Sequence, residues 1–374
     1  MKTILLISPY WQEEHRWMVS SVKMAELWQR LGYKVVVLCM GRSASGKRVA
    51  GSEKISETLE IHRVPDHFIP DPWNYGIAFG FSGAAVTLAR TLKPDVIVVN
   101  KVLFWSSISL LRLRMAGFKV LLITDALVGI TWWPRGTIGK VCGAIYANTL
   151  GWLLLKAATK IVFFHPQPEK VLRRLGIAKK SMVIPTGIDQ NRFSTIRSQR
   201  THSTVTYVGR LESVKGVDDF IAAALIVRKD HPTANFQVVG WYKDRHPLVL
   251  LHDRDIRFTG RQNDVVSVLN QTDIFILPSY AEGLSNALME AMSAGCACIA
   301  SDVGGNRYLI ENGVSGFLFP AGDREALASH IRRLLDDPVK REQLGLRARM
   351  RIELIFSWEK VGKQYDSLFS SWNT

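Results

Sequence analysis

The chain has 374 residues, 47% of them hydrophobic and 22% charged. That is long enough for two domains with a core each, and the balance excludes wholesale disorder, collagen-like repeats and coiled-coil rods. The net charge of +15 calls for an anionic partner and is unevenly placed: residues 1–190 hold 25 Lys and Arg against 12 Asp and Glu, residues 191–374 hold 23 against 21.

The apolar run Thr3 to Ile7 breaks at Ser8-Pro9-Tyr10-Trp11; it is too short for a signal peptide and reads as a first strand. A helical pattern from Trp17 to Leu31 follows and is stopped by Gly32. Val35 to Leu38, Val96 to Val99, Val120 to Ile123 and Ile161 to Phe164 are short apolar runs of the kind buried in parallel sheets. Gln190 to Ser203 is polar, basic and aperiodic, and reads as a linker. The same alternation resumes with Val205 to Val208, Phe236 to Val239, Ile256 to Thr259, Ile274 to Leu277, Ala297 to Ala300 and Gly316 to Phe319. Two successive βα arrays predict an α/β protein of two doubly wound domains, residues 1–187 and 188–356, with a last helix over 357–372 returning to the first. Ligands of such sheets bind outside the carboxyl ends of the strands, so a cleft between the two domains is the expected site.

Cys39, Cys142, Cys296 and Cys298 are too scattered for a disulfide framework and show no zinc spacing, which predicts a reduced, cytosolic chain. The charge-free runs Pro72 to Ala89 and Val141 to Leu155 are interrupted or short, and neither supplies the roughly 20 apolar residues of a bilayer span.

Chemistry concentrates in the second half. After the strand ending at Leu277 comes Pro278-Ser279-Tyr280-Ala281-Glu282-Gly283-Leu284-Ser285, where Ser285 suits a helix N-cap and the amides of Gly283, Leu284 and Ser285 form an anion site. Glu290 is the only charge between Ser285 and Gly295, so a buried carboxylate is expected there, in need of partners such as a ribose diol. On spacing alone, Glu282 reads equally as a solvated loop residue and Glu290 as a helix carboxylate paired to an arginine. Upstream, Val208-Gly209-Arg210-Leu211-Glu212-Ser213-Val214-Lys215-Gly216 places two cations five positions apart at the start of a helix, a fork and a point charge suited to a diphosphate.

Taken with Ile184-Pro185-Thr186-Gly187-Ile188-Asp189, Ala294-Gly295, Gly304-Gly305-Asn306, Glu311-Asn312-Gly313 and Gly316-Phe317-Leu318-Phe319, these motifs resemble the retaining glycosyltransferases of family 4, which have the GT-B fold. The resemblance is dense from Val205 to Asp323 and thinner but colinear elsewhere. It implies a nucleotide-diphosphate sugar as donor, no required cofactor or metal, and catalysis by Arg210 and Lys215, which hold the diphosphate and stabilise the leaving group. It further implies that Glu282 contacts the donor sugar and Glu290 the ribose. The amides at Gly283, Leu284 and Ser285 face sugar and phosphate, Gly209 lies at the phosphates, and the base lies near Gly260 and Arg261.

The first half departs from the family pattern. Where a glycine pair is usual after the first strand, this chain has Pro9-Tyr10-Trp11-Gln12-Glu13-Glu14-His15; where a His often follows the strand Val120 to Ile123, it has Thr124-Asp125. Asp125 is therefore a candidate sugar-contacting or proton-accepting residue, with a helix cap as the alternative. His15 and His165 are weaker candidates, and Asp253-Arg254-Asp255 reads as a charged loop rather than a metal site.

Between Pro72 and His165 ten basic residues face only Asp95 and Asp125, interleaved with Trp73, Phe79, Phe81, Phe104, Trp105, Trp132, Trp133 and Trp152. Tryptophan among lysine and arginine marks proteins that lie on anionic bilayers, which predicts peripheral binding on the cytoplasmic face and a saccharide or lipid-linked saccharide acceptor. Core packing with a solvated basic face is the alternative. A nucleic-acid partner is disfavoured, since no zinc-finger, RNA-recognition or helix-turn-helix pattern occurs. A catalytically silent scaffold of the same fold is the remaining alternative.

Overall fold

The apolar runs of each half come together as one sheet. The computed structural model describes residues 1–11, 19–41, 51–69, 75–133, 136–193 and 203–372, and the chain divides into two compact units, Met1–Thr186 with Val361–Thr374, and Gly187–Lys360.

In chain order the first unit contains β1 (Thr3–Ile7), α1 (Val19–Arg30), β2 (Lys34–Gly41), β3 (Gly51–Ser56), β4 (Leu59–Pro65), β5 (His67–Ile69), β6 (Tyr75–Ile77), α2 (Phe81–Leu92), β7 (Val96–Asn100) and α3 (Ser109–Met115). It continues through β8 (Leu121–Thr124), α4 (Gly136–Asn148), α5 (Leu150–Ala157), β9 (Lys160–Phe163), α6 (Glu169–Arg174) and β10 (Ser181–Val183). Its eight-stranded sheet runs β10-β9-β8-β7-β1-β2-β4-β3. All pairings are parallel except β3 with β4. Ile4, Leu5, Leu6 and Ile7 are fully buried because helices cover both faces, each side chain contributing about 1.5–3 kcal/mol of transfer free energy. Chain order reverses between β1 and β7, so the switch point lies beyond Ile7 and Asn100.

The sequence reading omitted β3 to β6 and β10. β3 is exposed throughout and has a single large apolar residue, Ile55, with no period-two alternation, and β5, β6 and β10 are three residues each. The predicted helix from Trp17 is described from Val19; His15 and Trp17, like Trp73, Arg135 and most of the linker after Phe193, lie outside the described residues.

The second unit contains β11 (Thr204–Val208), α7 (Val217–Arg228), β12 (Asn235–Val239), α8 (Pro247–His252), β13 (Arg257–Gly260), α9 (Val265–Asn270), β14 (Ile274–Leu277), α10 (Asn286–Ser293), β15 (Ala297–Ser301), α11 (Asn306–Leu309), β16 (Phe317–Phe319), α12 (Arg324–Asp336) and α13 (Pro338–Arg351). Its six strands run β13-β12-β11-β14-β15-β16, all parallel, with the reversal between β11 and β14.

The last helix, α14 (Trp358–Ser370), supplies core to the first unit. Tyr365 and Phe369 each meet Trp28 of α1 edge to face at 5.6 Å, and the Tyr33 hydroxyl donates to Asp366 Oδ1 at 3.2 Å. Such aromatic pairs add about 0.5–1.5 kcal/mol beyond the area they bury.

Candidate functional site

The carboxyl ends of β11 and β14 flank the switch point of the second unit, and the sequence candidates gather there. After β11, Gly209 donates its amide to Val239 O at 2.9 Å, and the buried Tyr207 hydroxyl donates to Arg210 O at 2.8 Å, fixing the turn that carries Arg210. Burial pushes the Tyr207 hydroxyl pKa well above its ordinary range, so it stays a donor. Arg210 pairs with Glu212 at 2.6 Å.

A single 3-10 turn, Ser213–Lys215, then presents Lys215, and Gly216 in the left-handed conformation (φ 67°) opens α7. A Cβ on Gly216 would lie 2.0 Å from Pro278 O, so only glycine lets the two loops approach this closely. They are joined by a bond from Tyr280 N to Val214 O at 2.8 Å.

Lys215 Nζ lies 2.7 Å from Glu282 Oε1, which also accepts from the Ser279 hydroxyl at 2.7 Å. The Glu282 side chain is only 8% exposed, so it is no solvated loop residue. Its backbone is pinned from behind: Gly305 N donates to Gly283 O at 3.1 Å, and Gly304 packs so tightly that a Cβ would sit 1.9 Å from Glu282 O. Asn306, buried, holds this glycine turn to the sheet through Ser301 O at 3.0 Å.

Ser285 caps α10, its hydroxyl accepting from Leu288 N at 3.3 Å. Glu290 lies in the middle of α10 and is half-buried, not buried as the sequence suggested, because the buried side of the helix is formed by Leu288, Met289, Ala291, Met292 and Ser293 and does not include it. Gly260 (φ 69°) ends β13, with Arg261 exposed just beyond it, two strands removed from β11. Arg210, Lys215, Glu282 and Ser285 thus share the switch point, while Gly260 and Arg261 stand toward the edge of the sheet. Asp253 and Arg254 are exposed between α8 and β13. Among the described residues no group of three or more His, Cys, Asp or Glu is placed to hold a metal ion.

The first unit has its own polar group at the carboxyl ends of β7, β8 and β9. Lys101, just past β7, has φ 74°, uncommon for a residue with a Cβ, and pairs with the Asp125 carboxylate. Its ammonium also stands 5.5 Å from the Phe164 ring centroid. His165 is buried beside them; burial lowers its pKa, against weaker upward pulls from the Pro166 carbonyl and the Asp125 charge. Gln167 faces the same ring and accepts from the Thr131 hydroxyl at 2.7 Å.

Two family descriptions match the chain: Glycosyltransferase Family 4 over residues 19–192 and Glycosyl transferases group 1 over residues 202–337. The chain belongs to glycosyltransferase family 4. It is 29% identical over 242 residues to glycogen synthase of Mycobacterium tuberculosis, covering 61% of this chain and 57% of that protein. It is likewise 29% identical over 205 residues to UDP-Gal:alpha-D-GlcNAc-diphosphoundecaprenol alpha-1,3-galactosyltransferase of Escherichia coli, covering 49% of this chain and 53% of that one. The chain therefore matches little more than half the length of these relatives. Sucrose-phosphate synthase from Thermosynechococcus elongatus superposes with a TM-score of 0.81 at 20% identity over 99% of this chain and 98% of that one, which shows the GT-B fold.

Against this family background, sequence reasoning missed Lys101, Glu212, Ser279 and Gln167. Ser279 and Glu212 stood inside quoted motifs, yet their partners lie across a turn. For Lys101 the only signal was a basic residue immediately after a buried strand.

Proposed function

We propose that the chain is a retaining glycosyltransferase that moves a sugar from a nucleotide-diphosphate sugar to a saccharide or lipid-linked saccharide acceptor, in cell-envelope or exopolysaccharide biosynthesis. The observation that carries this reading is the meeting of Arg210, Lys215, Glu282 and the Ser285-capped helix start at one switch point. The relative from Escherichia coli, named for UDP-Gal and a diphosphoundecaprenol-linked sugar, supports the substrate classes.

Arg210 and Lys215 bind the diphosphate, whose oxygens compete with Glu212 and Glu282 for the two cations. The Gly283, Leu284 and Ser285 amides add donors, Gly209 lets the phosphates approach the backbone, Glu290 accepts from the ribose hydroxyls, and Gly260 and Arg261 border the base. Glu282, released from Lys215, accepts from a donor-sugar hydroxyl. In the transfer the bond from the anomeric carbon to the phosphate oxygen breaks and the acceptor oxygen bonds to that carbon on the same face. The acceptor proton passes to the departing diphosphate, whose negative charge Arg210 and Lys215 stabilise. No metal or further cofactor takes part in this reading.

Asp125 receives a sugar hydroxyl at the first unit, with the ammonium of Lys101 orienting its carboxylate. Asp125→Asn should lower kcat/KM by about 10–100-fold, the value of one hydrogen bond to a charged group, with little change in melting temperature; an unchanged kcat/KM would leave Asp125 only an ordering role. The excess charge of the first unit supports a location on the cytoplasmic face of an anionic membrane.

Thermal-shift measurements against UDP, GDP, ADP, CMP and dTDP, each with and without magnesium, test the donor assignment. One nucleotide should raise the melting temperature selectively and without metal, by mass action on the native state. Silence from the folded protein across the panel would favour the catalytically silent scaffold.

A further inference from the structure

We infer that α4 and α5 are the membrane-docking element of the first unit, their outer face seated in the headgroup and upper acyl region of an anionic phospholipid bilayer. This rests on the proposed membrane location and commits it to one face. On α4, Ile138, Val141, Cys142 and Ile145 recur at three- and four-residue intervals and are all exposed, at 75%, 54% and 59% for Ile138, Val141 and Ile145. On α5, Trp152 and Leu153 are exposed as well. The opposite side is protein core: Gly143, Ala147, Gly151, Leu154 and Leu155 are buried, and the Tyr146 hydroxyl donates to Val102 O.

Thr137–Ala157 is, among the described residues, the one helical segment long and apolar enough to cross a membrane by length and composition. By sequence its charge-free part, Val141 to Leu155, is too short to span a bilayer, while Arg135 to Lys160 as a whole sets basic residues on either side of a Gly-, Leu- and Trp-rich stretch. Its buried side argues for lying on a bilayer rather than spanning it, since spanning would strip that side from the unit's core.

Charge selects the occupant. From Ala126 to Pro168 the sequence contains no Asp or Glu. Lys140 and Lys156 are exposed on the same two helices, and Arg112 and Arg114 are exposed in the last turn of neighbouring α3. Lys156 Nζ stands 5.8 Å from the Trp152 ring centroid, a cation held at an aromatic anchor. Burial lowers the Lys180 pKa, and the nearby charges of Lys156 and Arg114 push it in the same direction. An apolar face rimmed by cations and an amphipathic tryptophan complements anionic headgroups over acyl chains. A second copy of this chain would bring like charges together across a two-fold axis.

Cys142 supplies a native probe, because the other cysteines, Cys39, Cys296 and Cys298, are buried. An environment-sensitive fluorophore on Cys142 of the full chain should shift to the blue and brighten with phosphatidylcholine–phosphatidylglycerol vesicles and change little with phosphatidylcholine alone. In flotation with the mixed vesicles, Ile138→Asp/Ile145→Asp should reduce binding at least about tenfold, and Lys140→Glu/Lys156→Glu should reduce it by about fivefold or more per charge. Leu251→Asp, on the second unit, should float like the parent, and melting temperatures check that each variant is folded. Flotation of the parent with an unchanged Cys142 signal and unaffected variants would overturn this face while leaving a membrane location standing. A parent that floats with neither vesicle would overturn both. A blue shift that grows with protein concentration in the absence of vesicles would instead make the face an interface between copies, and overturn the proposal.

Discussion

Lys215→Met should lower kcat for sugar transfer by about 10²–10³, the usual consequence of removing one preorganised group that stabilises a leaving anion. A smaller loss of stability accompanies it. The Glu282 side chain is 8% exposed and, among the described residues, keeps the Ser279 hydroxyl once the ammonium at 2.7 Å has gone. A nearly buried carboxylate stripped of a partner costs about 1–3 kcal/mol. The double variant Lys215→Met/Glu282→Gln separates the two effects: neutralising the carboxylate restores most of the melting temperature but none of the rate. Nucleotide release under saturating donor and acceptor measures the first quantity and thermal unfolding the second. A Lys215→Met enzyme as fast as the parent would remove the catalytic role, and recovery of rate in the double variant would reduce Lys215 to a structural counter-ion.

Gly304→Ala should be the most damaging conservative substitution in the second unit. The backbone there is left-handed, at φ 47°, and a Cβ would stand 1.9 Å from Glu282 O. Left-handed geometry costs a residue with a side chain about 1–2 kcal/mol, and overpacking a rigid contact about 1–3 more. The melting temperature should fall by roughly 2–4 °C per kcal/mol for a unit of this size. Activity should fall further than stability explains, since relief of the clash pushes the Glu282 loop away from Lys215. Gly313→Ala is the matched control. It too is left-handed, at φ 78°, yet nothing lies within 4 Å of its Cβ position, so it bears only the backbone cost and keeps its turnover. Equal effects from the two substitutions would show that contact with the Glu282 loop is irrelevant.

The sequence disclosed the buried parallel strands because burial on both faces demands continuous apolar runs such as Val96 to Val99 and Ile274 to Leu277. It also disclosed Ser285 as a cap, since a hydroxyl before an apolar helix has a local reason to be there. What it left out is non-local or weakly patterned. β3 pairs along the edge of the sheet with an entirely exposed sequence whose one large apolar residue is Ile55, so no periodicity marks it. The Lys215 and Glu282 pair joins residues 67 positions apart, and nothing in either motif states that they touch. Lys101 meets Asp125 only because a left-handed residue turns the chain at the end of β7. Glu290 was misjudged in burial because the apolar character of α10 is a property of most of its surface rather than all of it.

The partnership of α1 with α14 also shapes how the protein is made. Trp28 is translated more than three hundred residues before the rings of Tyr365 and Phe369 that enclose it. The first unit therefore cannot complete its core until residues 361–372 have been made, although chains usually consolidate their leading domain first. The second unit, whose strands and helices are contiguous from Gly187 to Lys360, has all its parts available sooner. A nascent chain stalled before residue 361 should accordingly hold a folded trailing unit and a leading unit with an exposed Trp28 surface. Emergence of residues 361–372 then acts as the closing stitch for the unit that was synthesised first.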